Sequence, residues 1–161
     1  MELHTKVAAL ALFAVCGCSS SEAAPRRGAE TAPAPVAPRA SSSRIETANY
    51  VLEATVPAGA KAGQEAAIEV RLTTKGDYHL NKQYPYKFKV ASPPPEGVTF
   101  PKQVLERGDG AFEEKSCAFK VPFVAAKAGK TVVGGTLSMS VCSEANCVMD
   151  KQAVEVAVDV Q

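Results

Sequence analysis

Five cysteines, two histidines and three methionines carry the sulfur and metal chemistry open to this 161-residue chain. Cys16 and Cys18 stand directly behind an apolar N-terminal run, whereas Cys117, Cys142 and Cys147 fall in the last third. The closest pair in that third brackets Ser143-Glu-Ala-Asn146, a four-residue stretch of common hairpin length. Cys142 ends a run in which Leu137, Met139 and Val141 alternate with Ser138 and Ser140, and it has the polar parity. Cys147 opens the approach to a run of alternating valines. Two cysteines facing across a hairpin mouth have Cβ atoms about 4.5–5.5 Å apart, so a small adjustment reaches the ~3.8 Å of a disulfide. The spacing therefore predicts a Cys142–Cys147 bond, exposed at the tip. Closing so short a loop restricts the unfolded chain by only about 2 kcal/mol, against nearly 5 for a 100-residue loop. That is little for a purely stabilising bond, and an exposed disulfide is open to another protein's thiolate. Spacing alone does not decide between the structural and the exchanging role.

Cys117 has a different setting. It shares parity with Phe119, Val121 and Phe123, so it is expected in the core as an inert thiol with a raised pKa. A soft-metal reading was weighed for Met139, Cys142, Cys147 and Met149, with His79 nearby, as a set suited to Cu(I). It is set aside because Met139 has core parity and an exported chain favours the disulfide. Zinc is weaker still, since residues 45–161 hold one histidine and no second close cysteine pair. No metal and no cofactor is called for.

The elements that position these residues read as strands. Tyr50, Leu52 and Val56; Ile68, Val70 and Leu72; Tyr86, Phe88 and Val90; and Val154, Val156, Val158 and Val160 each alternate with more polar neighbours. Such alternation marks strands with one buried and one wet face. Breakers fall between them at Pro57-Ala-Gly59, Lys75-Gly-Asp77, Pro93 to Gly97, Gly108-Asp-Gly110 and Ala128-Gly-Lys130. Six or seven strands in the 117 residues from Ile45 to Gln161 predict an all-β, immunoglobulin-like antiparallel sandwich, with a small closed barrel as the alternative. Trp is absent, so the buried-Trp hallmark of antibody domains is missing. With 13 basic and 14 acidic residues this region offers no electrostatic case for nucleic acid.

The N-terminus reads as an export signal. Val7–Val15 is an unbroken apolar run of nine residues, about half of the ~20 a membrane-spanning helix needs but suited to a signal peptide. Val15-Cys16-Gly17-Cys18 resembles the bacterial lipobox, with small Gly17 before Cys18, whereas Cys16 follows bulkier Val15. Residues 1–17 are thus expected to be a lipoprotein signal and Cys18 the lipid-modified anchor, held by several acyl chains at roughly 0.8 kcal/mol per buried methylene. Ser19, with no Asp after the cysteine, points to the outer membrane facing the periplasm. Residues 18–44 form the linker: Ser19–Arg44 holds four Pro, seven Ala and six Ser, too little apolar surface to offset ordering.

Two segments carry a family resemblance. Gly76-Asp-Tyr78-His79-Leu80-Asn81-Lys-Gln-Tyr84-Pro85 is similar to the GYHLNxxYP segment of DsbD N-terminal-like domains, also called disulfide bond corrector domains. Ser138-Met-Ser-Val-Cys142-Ser-Glu-Ala-Asn-Cys147 resembles that family's closing hairpin, with one residue fewer between the cysteines than the transporter's own domain has. The resemblance implies an immunoglobulin-like fold over residues 45–161 and makes Cys142 and Cys147 a redox pair. It implies Tyr78 as an aromatic neighbour of the pair and Phe112 as the aromatic of a shielding loop near Gly108–Phe112. It further implies electron exchange with thioredoxin-like proteins of the envelope, a separate protein supplying the electrons because no transmembrane or thioredoxin-like module is seen in this sequence. Beside that reading, Tyr78, Tyr84 and Tyr86 also suit ordinary sandwich packing and His79 a surface position. Glu144, inside the cysteine loop, disfavours a thiolate, so a passive relay fits better than an autonomous oxidoreductase. The competing reading is a non-enzymatic sandwich lipoprotein with a structural hairpin disulfide, serving binding or scaffolding.

Overall fold

The computed structural model describes residues 41–56 and 59–161. The signal segment 1–17, Cys18 and the linker as far as residue 40 lie outside the described residues, as do Pro57 and Ala58 of the first turn signal.

One sheet consists of β1 (Ser41–Glu46), β2 (Tyr50–Val56), β3 (Glu65–Thr74), β9 (Ser116–Ala125) and β6 (Val98–Thr99) in that spatial order, with β8 (Gly110–Phe112) also pairing β9. The other runs β11 (Cys147–Val160), β10 (Gly129–Cys142), β5 (Lys87–Val90) and β7 (Val104–Glu106), with β4 (His79–Leu80) also pairing β10. Every pairing is antiparallel. No strand pairing joins the two sheets among the described residues, so this is the expected two-layer sandwich and not the closed barrel. Among the described residues, the one helical element is a three-residue 3₁₀ turn, Arg107–Asp109.

The core follows the sequence alternation. Leu52, Ile68, Val70, Leu72, Phe119, Val121 and Phe123 of the first sheet face Phe88, Leu137, Met139, Val141, Val154, Val156 and Val158 of the second, all buried. Each such side chain contributes roughly 1.5–3 kcal/mol through burial, which fixes the strand registers because a one-residue slip would expose the whole set. The long β10 is paired along both edges, and its partners crowd it. A Cβ on Gly135 would stand 2.2 Å from the Lys89 carbonyl oxygen and 2.8 Å from the Phe88 ring, and one on Gly134 2.2 Å from the Val154 carbonyl oxygen. A polar clip also ties the sheets: the Tyr50 hydroxyl donates to Asp150 at 2.5 Å, and Gln152 donates to the same carboxylate at 3.0 Å.

Two expectations shift. Eleven strands stand among the described residues, because β4, β6, β7 and β8 are only two or three residues long, too short for alternation to show. Among the described residues the first strand starts at Ser41, inside the segment whose composition reads as linker. β1 pairs with β2 from Ser41↔Val56 to Glu46↔Val51, an arrangement that rests on main-chain bonds and needs few apolar side chains at a sheet edge. Ile45 packs against the core, while Arg44 approaches Glu53 at 3.8 Å and Glu46 meets Lys75 at 2.9 Å.

Candidate functional site

Cys142 and Cys147 are joined by a disulfide across the end of the β10–β11 hairpin, with Cα atoms 4.0 Å apart. The Ser143 N–H donates to the Asn146 carbonyl at 2.8 Å. Hydrogen-bonded and non-hydrogen-bonded pairs alternate along an antiparallel ladder, so the next pair, Cys142–Cys147, takes the non-hydrogen-bonded position where the strands come closest. The four-residue loop is held from within. Ser143 Oγ accepts the N–H groups of Ala145 and Asn146, each at 3.3 Å. It is also held from outside, where the Tyr78 hydroxyl donates to Asn146 Oδ1 at 3.4 Å. Tyr78 thus stands beside the cysteine loop, bonded to the loop's side chain.

The two sulfurs have unlike surroundings. Cys147 is exposed, but Cys142 retains only 6% of its accessible surface. This corrects the expectation of a bond exposed on both sides. The cause is topological: β11 is an edge strand with one partner, whereas β10 at Cys142 is flanked by β11 on one side and β4 on the other.

β4 brings a residue to that second side. Gly76, at φ +56°, forms the turn in which the Tyr78 N–H donates to the Lys75 carbonyl at 3.1 Å. The Leu80 N–H then donates to the Glu114 carbonyl at 2.9 Å, and the Asn81 N–H to the Ser140 carbonyl at 3.1 Å. β4 is therefore held between β10 and the turn joining β8 to β9. Its register pairs Leu80 with Val141 and His79 with Cys142. Leu80 and Val141 are both buried in the core, so His79 and Cys142 turn together to the opposite face. Half-buried His79 lines, with Leu80 to Gln83, Glu114 and Cys142, a cleft of about 340 Å³. It also borders a hollow of about 640 Å³ with Asp77, Lys115 and the Ser143-Glu144-Ala145 loop.

Phe112 packs on neighbouring aromatics. Its ring meets Tyr86 and Phe119 edge-on at 5.1 and 5.6 Å, and the Arg107 guanidinium lies 4.6 Å from its centroid. What borders the cysteine site is the turn that follows it, through Glu114 and Lys115. Tyr86 is buried and donates its hydroxyl to the Ser140 carbonyl, and burial pushes its phenol up to about 12. Tyr84 packs edge-on against Tyr86 at 5.4 Å.

Cys117 is 1% exposed, and burial pushes its thiol up to about 12, as expected of a core cysteine. Met139 is likewise buried, while Met149, two residues after Cys147, is 73% exposed. The soft-ligand set that included Met139 is not assembled, because that side chain belongs to the core. His79 is a site residue that sequence reasoning offered only as a surface position or as a neighbour of the rejected Cu(I) set. A two-residue strand has no readable alternation, so its register with Cys142 leaves no trace in the sequence.

Fold and site together define an antiparallel β-sandwich carrying a hairpin disulfide between one sheltered and one exposed cysteine. No protein family model matches the chain, and no curated protein matches it. Among solved structures it is similar to the cohesin module from Clostridium perfringens ATCC13124 family 33 glycoside hydrolase, at 14% identity and a TM-score of 0.34, over 70% of this chain and 97% of that one. A likeness of that size adds nothing to the reading of the site.

Proposed function

We propose that this protein is a membrane-tethered thiol–disulfide relay of the bacterial envelope, in which Cys142 and Cys147 cycle between disulfide and dithiol. The observation that carries the reading is the asymmetry of the pair, with Cys147 open to solvent and Cys142 sheltered behind it. An incoming thiolate forms a bond to the exposed Cys147 Sγ. The Cys142–Cys147 bond breaks, and its electron pair leaves on Cys142 Sγ. A second thiol of the partner then attacks the mixed disulfide, so that the partner is oxidised and both cysteines are reduced. Partners with paired thiols, thioredoxin-like proteins, supply that chemistry. The resemblance of the Gly76–Pro85 and Ser138–Cys147 segments to disulfide bond corrector domains supports the same reading. Cys18 would provide the anchor and the Pro-rich linker the reach, at the periplasmic face of the outer membrane.

Trapping of a partner tests the proposal. Expressed in its native envelope, Cys142→Ala leaves an exposed Cys147 with no internal thiol to resolve a mixed disulfide. It should accumulate a thiol-sensitive adduct with a thioredoxin-like protein on non-reducing gels. Cys147→Ala, left with the sheltered sulfur, should trap little. If neither variant forms an adduct and the wild-type bond resists a thioredoxin system, the disulfide is a structural clip.

A further inference from the structure

From the register of β4 we infer that His79 is the proton-exchange partner of Cys142 when the disulfide opens, an inference that rests on the relay reading above. Attack on Cys147 expels the negative charge onto the sulfur of Cys142, a residue only 6% exposed. A thiolate in so dry a position is destabilised by lost hydration, and this loop offers no helix N-terminus to compensate it. A proton must reach Cys142 as its bond breaks. His79 is paired with it on β4, turned to the same face, and borders the same cleft. An imidazole changes protonation between about pH 5 and 8, which suits both directions of a relay.

The step balances. In reduction, the attacking thiolate bonds to Cys147 Sγ, the electron pair of the broken bond goes to Cys142 Sγ, and the imidazolium of His79 gives that sulfur its proton and becomes neutral. In oxidation, neutral His79 removes the Cys142 proton and the thiolate displaces the partner's sulfur from Cys147. The charged groups around His79 come from every element packed on β4. Asp77 precedes it and Lys82 follows it; Glu114 and Lys115 approach from the β8–β9 turn, and Glu144 from the hairpin loop. Glu114 and Glu144 disfavour a bare thiolate on Cys142, which sends the proton to sulfur. Lys82 and Lys115 oppose them from solvent-exposed positions.

The test uses a small thiol and no protein partner. Reduction of the wild-type disulfide by excess 2-mercaptoethanol is followed from pH 5.5 to 8.5, each rate constant divided by the reagent's thiolate fraction. For wild type this corrected rate should fall as the pH rises through the imidazole range. For His79→Gln it should be flat and, at the acid end, about tenfold lower, less than the ~100-fold of a committed general acid because sulfur departs readily even unassisted. Equal melting temperatures of the oxidised proteins show that the variant is folded. A flat wild-type profile overturns the inference even if the variant fails to fold, and so does a His79→Gln profile that matches wild type. Acid-quenched, alkylated samples are mapped in the same experiment, and the reagent should be found on Cys147. A reagent adduct on Cys142 instead would overturn the direction of attack in the relay reading together with the role of His79, whereas a flat profile with the adduct on Cys147 overturns His79 alone.

Discussion

The proposed cycling between disulfide and dithiol requires a domain that stays folded in both states, and the loop size predicts one. The Cys142–Cys147 bond closes a ring of six residues, counted from its sequence separation of 5. In the chain-entropy model such a ring restricts the unfolded state by about 2 kcal/mol at 25 °C. Single domains of this size have about 5–15 kcal/mol of stability to lose it from. The hairpin has other support as well: β10 and β11 are paired over fourteen positions, and four valines of β11 from Val154 to Val160 are buried. Reduction therefore lowers stability without unfolding the domain. Urea denaturation followed by far-ultraviolet circular dichroism, with and without dithiothreitol, should show the midpoint falling by about 1–2 M with an unchanged slope, taking a slope of ~1–2 kcal/mol/M. A loss above ~4 kcal/mol, or unfolding on reduction alone, would refute the reasoning. It would mean that the bond holds the hairpin together, which is the structural reading.

Two further outcomes follow from groups outside the cysteine pair. Asp150→Ala leaves the buried Tyr50 hydroxyl without its acceptor and should cost about 1–3 kcal/mol in the same urea assay. The Tyr50 hydrogen bond lowers the Asp150 pKa, so the stability it contributes is present above the ordinary carboxylate value of 3.8 and is lost as the pH falls below it. Burial and the same bond push Tyr50 up from 10.0 to about 12, so its share is present below pH 10 and is lost between 10 and 12. Asp150→Ala should flatten the acid limb of the stability profile, and an unchanged limb would show that other carboxylates set it. In folded, reduced protein, iodoacetamide at pH 8 should modify Cys147 first and leave Cys117 untouched, because that thiol is 1% exposed and titrates at about 12. Fast alkylation of Cys117 would contradict the register of β9.

Much of this was legible in the residues, for a physical reason that also marks the limit. Alternation identifies strands whose inward side chains are held by burial, which is why Ile68-Val70-Leu72, Cys117 to Phe123 and the β11 valines were placed correctly. The Cys142–Cys147 pairing was legible because hairpin spacing is local. Elements too polar or too short to show alternation were not: polar Ser41–Arg44 reads as linker, and His79-Leu80 has no period. The placement of Phe112 came from a resemblance, and its ring goes to Tyr86, Phe119 and Arg107 because the cluster of buried aromatics lies there. The exposure of Cys142 was misjudged for a related reason. Parity gives the face a side chain points to, but whether that face is wet depends on which strand lies alongside, and β4 was invisible.

The same register links the core to the chemistry proposed for the site. Leu137, Met139 and Val141 point inward on β10, so Cys142 must point outward, and no one-residue slip can change that without exposing all three. Leu80, buried opposite Val141, fixes β4 in the same way and leaves His79 no choice but to stand beside Cys142. Cys147 is placed by its pairing with Cys142, yet it starts an edge strand and stays open. The sandwich thus presents one cysteine and shelters the other, with an imidazole bordering the same cleft as the sheltered one, at positions that hydrophobic packing fixes. A site fixed in this way needs little rearrangement between its two redox states. That favours exchange with a partner over storage of strain, and it makes the β4 register, not the length of the cysteine loop, the feature on which the relay reading most depends.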